Sequence, residues 1–282
     1  MAEITKYFPR LNKIFIQKNW FKKFEEAGFE DILTNFIKII EGLSDDEADL
    51  LLKLTEDYLY VDANAMQRCF REIYCDISIE LIAGFEEVYF LPLIAPDDSQ
   101  NTKSQSSVLY PAYHQLNLMC RQNGLTNNLK IESKDLMTAL GNSLADRGDC
   151  LLIFVDDFIG TGRSALKALS AYESNFRKST DVVAVMCAVC QSEGKEKLKN
   201  AGFDVWANHI RKKGLTDSQK ITEIGKAIEI MKGISARIIS NSKHYLGFAS
   251  SEALVTMPFR TPNNTFPVYW ADNGSGTAPF YR

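Results

Sequence analysis

The stretch from Leu151 to Leu166 limits what this chain can fold into more than any other. Leu151-Leu152-Ile153-Phe154-Val155 is an unbroken apolar run. It is too short for a membrane span and suits a strand buried on both faces of a parallel sheet. Asp156 and Asp157 follow, then Phe158-Ile159, then the small polar loop Gly160-Thr161-Gly162-Arg163-Ser164, and a helical pattern opens at Ser164. That order sets carboxylates and backbone N–H groups at one rim of a sheet. Gly160 and Gly162 allow positive φ and close approach to a ligand. Thr161 and Ser164 supply hydroxyl donors. The following helix points unpaired N–H groups and a positive dipole end at the loop, which suits a phosphate. Ionised Asp156 and Asp157 accept from sugar hydroxyls, or from waters around a magnesium ion. The combination describes a site for a ribose 5-phosphate.

The same residues resemble the ribose-phosphate motif of type I phosphoribosyltransferases. The resemblance implies that Asp156 and Asp157 hold the ribose 2′- and 3′-hydroxyls of phosphoribosyl pyrophosphate. It implies that Gly160, Thr161, Gly162, Arg163 and Ser164 surround the 5′-phosphate, with Phe158 and Ile159 in the same substrate-binding stretch. Magnesium would accompany phosphoribosyl pyrophosphate, and the transition state would be rich in oxocarbenium character. Asp156 and Asp157 would then act by positioning and electrostatics, not by proton transfer. One position departs from part of the family. Purine-salvage members carry an Asp where this chain has Gly160, which disfavours hypoxanthine or guanine as acceptor. Orotate- and adenine-type members do without that Asp.

The flanking sequence repeats strand and helix. Glu87 to Ile94 reads as a strand. The polar loop from Ala95 to Ser107 follows it. In a phosphoribosyltransferase this loop holds pyrophosphate, which Lys103-Ser104 and Ser106-Ser107 could do; a solvated surface loop is the alternative. Tyr110 to Cys120 reads as a helix, Asn128 to Glu132 as a second strand, and a helix runs from Ser133 or Lys134 to Leu144. Helical periodicity continues from Ser164 to Phe176. Then come the strand Val182 to Cys190, a helix from Glu193 to Asn200, and a strand over Gly202 to Trp206. The expected fold class is α/β, a doubly wound, mainly parallel sheet of the type I phosphoribosyltransferase type. Ligands of such sheets sit outside the carboxyl ends of the strands. Residues 84–282 make this core, with a C-terminal turn and aromatic segment.

Residues 1–83 read as a helical N-terminal region. Ser44-Asp45-Asp46-Glu47 has the form of a capped helix start. The region is either a bundle packed on the core or a docking surface for a protein partner. Beyond the core's sheet, Ala207 to Gly214 is polar and basic, and a helix is expected from Asp217 to Met231. His209 faces either solvent or the ligand. His114 and His244 have no companions at catalytic or metal-binding spacing.

Bulk properties exclude some functions. A net charge of −4 argues against broad nucleic-acid coating, although His209 to Lys213 is locally basic. No run of apolar residues is long enough for a membrane helix, and Met1 to Lys6 lacks an apolar signal core. The 6 cysteines form no framework, which points to a reduced, cytoplasmic protein. Cys187 and Cys190 lie on an apolar strand, where residues three apart should face opposite ways.

Near the C-terminus, Leu254 to Met257 reads as a strand. Thr261-Pro262-Asn263-Asn264-Thr265-Phe266-Pro267-Val268-Tyr269-Trp270 joins a turn, in which Asn tolerates left-handed φ, to aromatics. This block resembles the tail of a subgroup of phosphoribosyltransferase-like proteins tied to bacterial anti-phage conflict systems, some of them retron-linked. The resemblance implies a defence role. If the ligand reading holds, the turn and Trp270 form one wall of a base or acceptor pocket, since an aromatic face can stack on a base; an ordinary turn packed by Trp270 is the alternative. The resemblance leaves two alternatives to catalysis: a nucleotide-binding sensor without turnover, and a toxic effector restrained by a partner.

Overall fold

In the computed structural model, residues 3–28, 31–95, 106–125, 128–131, 149–272 and 278–282 are described. The strands in chain order are β1 (Leu59–Tyr60), β2 (Glu87–Pro92), β3 (Asn128–Ile131), β4 (Cys150–Ile159), β5 (Val182–Gln191), β6 (Asp204–Arg211) and β7 (Val255–Thr256). β4 forms where the apolar run requires it, and every residue in it except Asp156 is buried. Five strands make one sheet in the order β3-β2-β4-β5-β6, and each neighbouring pair is parallel. Counted from its own first strand, the sheet reads 2-1-3-4-5, a doubly wound order. Helices Ser106–Gln122, Arg163–Asn175 and Ser192–Asn200 supply crossovers. Parallel neighbours need such long connections. The expected helix from 133 to 144 lies outside the described residues.

The chain forms two compact units, one from Ala63–Arg211 and one from Met1–Asp62 together with Lys212–Arg282. The expected boundary between residues 83 and 84 falls inside the first of these. That unit holds the five-stranded sheet. Helix Ala63–Asp76 packs on helix Ser106–Gln122 and on β6 within it.

Side-chain alternation slips along the middle of this sheet. One apolar cluster takes Leu152 and Phe154 from β4 but then Ile159, and Val185 and Cys187 from β5 but then Cys190. Strict alternation would put 154 and 159, or 187 and 190, on opposite faces. Cys187 and Cys190 therefore share a face, contrary to the expectation from spacing. The register pairs Asp156 with Cys187 and Phe158 with Val189, so the slip falls at the two acids. Local loss of alternation of this kind re-aims side chains near sites. None of the six cysteines is in a disulfide, and only Cys75 is exposed.

The other unit is helical, with helices Ile4–Gln17, Trp20–Ala27, Ile32–Glu41, Asp45–Glu56 and Ile224–Ala236. The last replaces the helix expected over 217–231. Ser44 and Glu47 form the expected capping box: the Glu47 N–H donates to Ser44 Oγ, and the Ser44 N–H donates to Glu47 Oε2 at 2.8 Å. β7 stands where a strand was expected. Its parallel partner β1, two residues long, gives no periodic signal. The core of this unit is aromatic: Trp20, Phe24, Phe36, Tyr58, Tyr269 and Phe280 are all buried in one cluster. Tyr58 and Phe280 stack with ring centroids 4.9 Å apart. Buried hydroxyls pair internally, Tyr58 with Thr256 at 2.8 Å and Thr55 with Tyr269 at 3.0 Å. Among the described residues, no helix is long and apolar enough to cross a membrane.

The Pro262–Asn264 turn is present, but its asparagines do not take left-handed φ. The left-handed residues lie in the facing segment, at Gly247, Ala249, Ser250 and Glu252. Phe248 N–H donates to the Asn263 carbonyl at 2.8 Å, and Ala253 N–H to that of Asn264 at 3.0 Å. Glu252 is buried, and its carboxylate accepts from the N–H groups of Leu215 and Thr216 and from the Thr216 hydroxyl.

Candidate functional site at the end of the central strand

The strand order reverses between β2 and β4, since the chain leaves β2 toward β3 on one side and leaves β4 toward β5 on the other. In open sheets of this order, ligands bind at that point, outside the strands' carboxyl ends. β2 stays bonded to β4 as far as Leu93, whose N–H donates to the Val155 carbonyl at 3.0 Å. The next residue of β4 is Asp156. The acids expected to hold the ribose therefore lie at the carboxyl end of β4, beside this reversal.

The two acids are not equivalent. Asp156 is half-buried, and its Oδ1 accepts the N–H of Asp157 at 2.8 Å. Asp157 is 8% exposed, and its carboxylate accepts no hydrogen bond among the described residues. A buried carboxylate without a donor is costly unless a ligand supplies one. Both acids lie close enough to Cys187 to add to the effect of burial, which pushes that thiol well up. Such a thiol is protonated and unreactive.

The loop beyond β4 is built by glycine. Gly162 has φ +73° and caps helix Arg163–Asn175. Gly160 does not take positive φ, as had been expected of it. It serves a close approach instead. A Cβ added at Gly194, in the first turn of helix Ser192–Asn200, would lie 2.2 Å from the Gly160 carbonyl oxygen and 3.2 Å from the Gly162 nitrogen. Sequence reasoning missed Gly194. The available signal was a glycine early in a helix, where it costs about 1 kcal/mol against Ala.

No acceptor among the described residues takes the N–H groups of Thr161, Gly162, Arg163 or Ser164. Thr161 is 4% exposed, and its hydroxyl has no partner among them. The first N–H groups of a helix have no partner within it, and together with its dipole they attract an anion. Arg163 and Ser164 are exposed at the mouth of the loop. Arg163 joins no ion pair among the described residues. Phe158 and Ile159 are buried, and the Ile159 side chain belongs to the apolar cluster under the loop. Lys103 and Ser104, expected at pyrophosphate, lie outside the described residues.

His209 lies on β6, because that strand runs on to Arg211 instead of ending near Trp206. It is half-buried. Burial and the neighbouring Arg211 lower its proton affinity against the opposing pull of Glu72. Trp270 belongs to the helical unit. Its indole N–H donates to the Thr265 carbonyl at 2.8 Å, and the Arg282 guanidinium lies over its ring at 4.5 Å.

Magnesium prefers one or two carboxylates plus phosphate oxygens and water. Asp156 and Asp157 fit that donor set, beside a loop whose N–H groups have no acceptor among the described residues. Among the described residues, no group of three or more His, Cys, Asp or Glu side chains gathers as a protein-only cage.

No protein of curated function matches this sequence. Among solved structures, orotate phosphoribosyltransferase from Aeropyrum pernix matches at 14% identity over 50% of this chain and 68% of its own, with a TM-score of 0.27. Hypoxanthine-guanine phosphoribosyltransferase from Schistosoma mansoni, solved with IMP, matches at 13% identity over 55% and 67%, with a TM-score of 0.35. Orotate phosphoribosyltransferase from Mycobacterium tuberculosis, solved with inorganic phosphate, matches at 15% identity over 52% and 70%, with a TM-score of 0.30. The family model described as PRTase-CE matches residues 12–282.

Proposed function

The chain belongs to the PRTase-CE family, whose members are phosphoribosyltransferase-like, and on that premise we propose that it binds phosphoribosyl pyrophosphate and transfers the phosphoribosyl group. The C1–O bond to pyrophosphate breaks, a bond from C1 to the acceptor forms, and pyrophosphate leaves. The observation that carries this reading is the pairing of a partnerless buried Asp157 with a loop of acceptor-free N–H groups. Four such donors and a threonine hydroxyl suit the 5′-phosphate, and the acids suit the ribose diol. As positive charge develops on the sugar, Asp156 and Asp157 stabilise it without moving a proton. Magnesium, held by substrate oxygens and by these acids through water, would offset the charge of the leaving pyrophosphate.

Gly160 offers no side chain to act as base toward an acceptor, and the Asp156 carboxylate is already engaged by the Asp157 amide. Those two observations favour a second reading, a nucleotide-binding sensor that holds the ligand without turnover. We place either activity in bacterial anti-phage defence, in retron-linked systems among others, on the likeness of the Pro262–Trp270 block. A protein partner at the N-terminal helices and a cytoplasmic location belong to the same reading. If that partner restrains a toxic effector, expression without it should arrest growth, and the acid-pair variant should relieve the arrest.

The deciding experiment incubates the full chain with phosphoribosyl pyrophosphate, magnesium and a panel of bases. Pyrophosphate release, lost in the Asp156→Asn, Asp157→Asn double variant, is expected of the enzyme. Tight binding without release selects the sensor. Absence of binding to the wild-type protein refutes both.

A further inference from the structure

Gly194 has no backbone reason to be glycine. It lies inside helix Ser192–Asn200, is buried, and does not take positive φ. What excludes a side chain is the loop above it. An added Cβ would meet Gly160 O at 2.2 Å, Ile159 Cγ2 at 3.1 Å and Gly162 N at 3.2 Å. From the other side, a Cβ on Gly162 would meet Gly194 O at 3.1 Å and Gly194 Cα at 3.2 Å. Two of the three atoms crowding Gly194 are main-chain atoms of the loop, so no rotamer change relieves the contact.

The contact has a direction. In a trans peptide the C=O of one residue and the N–H of the next point opposite ways. With the Gly160 carbonyl seated on Gly194, the Thr161 N–H points away from helix Ser192–Asn200. That N–H is the first of the acceptor-free series that runs to Ser164. Moving Gly160 by the ångström or so that a methyl group demands would swing this peptide and break the convergence of the series. Such a misplacement costs binding far more than it costs packing.

We propose that Gly194 is the positioning residue of the phosphate loop. It sets the affinity for a phosphomonoester by fixing the Gly160–Thr161 peptide, although it touches no ligand itself. The proposal rests on the ribose-phosphate reading of the loop.

Isothermal titration of the full chain with ribose 5-phosphate tests it. The control is Gly202→Ala, which forces a side chain onto φ +88° in open space and so strains the same region without meeting the loop. Gly194→Ala should weaken ribose 5-phosphate binding by more than about tenfold. Gly202→Ala should lower the melting temperature and leave that affinity within about threefold. Equal affinities for Gly194→Ala and the wild-type protein overturn the proposal and leave the functional reading standing. A wild-type protein that does not bind ribose 5-phosphate overturns both. Should Gly194→Ala not fold, hydrogen exchange on the wild-type protein decides. Ribose 5-phosphate should slow exchange at residues 194–198 as well as at 160–164. Protection confined to 160–164 counts against Gly194.

Discussion

Asp157 and Asp156 are neighbours in different surroundings. Asp157 is buried with an open carboxylate, whereas Asp156 spends one oxygen on the Asp157 amide. A hydrogen bond to a charged group is worth about 1.5–3 kcal/mol. Asp157→Asn, which turns half of the acceptor into a donor, should therefore weaken ribose 5-phosphate binding by roughly 10- to 100-fold. Asp156→Asn should cost less, since its amide oxygen can still accept the Asp157 N–H. Calorimetry on the two single variants checks the order, and a larger loss for Asp156→Asn would reverse the assignment. The acids and the Gly-Thr-Gly loop were legible because the chemistry lies in one contiguous stretch. The difference between the acids was not, because it depends on a slip in alternation that no periodicity foretells. Gly194 was hidden for a related reason: the group that forbids its side chain is the Gly160 carbonyl, on a loop distant in sequence.

At the scale of elements, strands and caps with a local signal were readable, and those fixed by neighbours were not. Ser44 and Glu47 carry the capping box in four consecutive residues. Ser44→Ala should cost about 1 kcal/mol, seen as a melting point a few degrees lower. No change would mean that the Glu47 pairing with Arg237 holds the turn unaided. β6 outran its expected end because Val189 and Cys190 of β5 pair with His209 and Ile210, which rescues a polar sequence as sheet. That places His209 half-buried, with a proton affinity below its ordinary value of 6.5, through burial first and Arg211 second. The unfolded chain then takes the proton before the folded one does. Stability attributable to His209 is fully present above about pH 6.5 and is lost as pH falls through the lower folded value. Melting temperatures measured between about pH 8 and about pH 5.5 should fall less steeply in His209→Gln. Parallel curves for the two proteins would rule out that contribution.

At the scale of the molecule, the order of the chain misleads. Residues 1–83 read as a helical N-terminal region, yet the core around residues 1–62 is completed by residues some two hundred positions later. Phe36 lies beside Tyr269 and Phe280, and Trp20 beside Phe280, within one unit. Residues 63–211 form their own unit between these two stretches of chain. No local pattern announces such a discontinuous unit, because burial of Tyr269 depends on helices from the far end of the sequence. The apolar faces of the N-terminal helices are thus largely spent on internal packing. Deleting residues 1–62 should then do more than remove a docking surface. It should leave Phe266, Val268, Tyr269 and Phe280 without cover, giving a protein that aggregates or binds hydrophobic dyes. Phe36→Ala makes the same point with one side chain, at a cost of about 3–5 kcal/mol. A truncated chain that stayed soluble, with Trp270 fluorescence unchanged, would show that residues 212–282 fold without the N-terminal helices and would return those helices to the role of an appended partner surface.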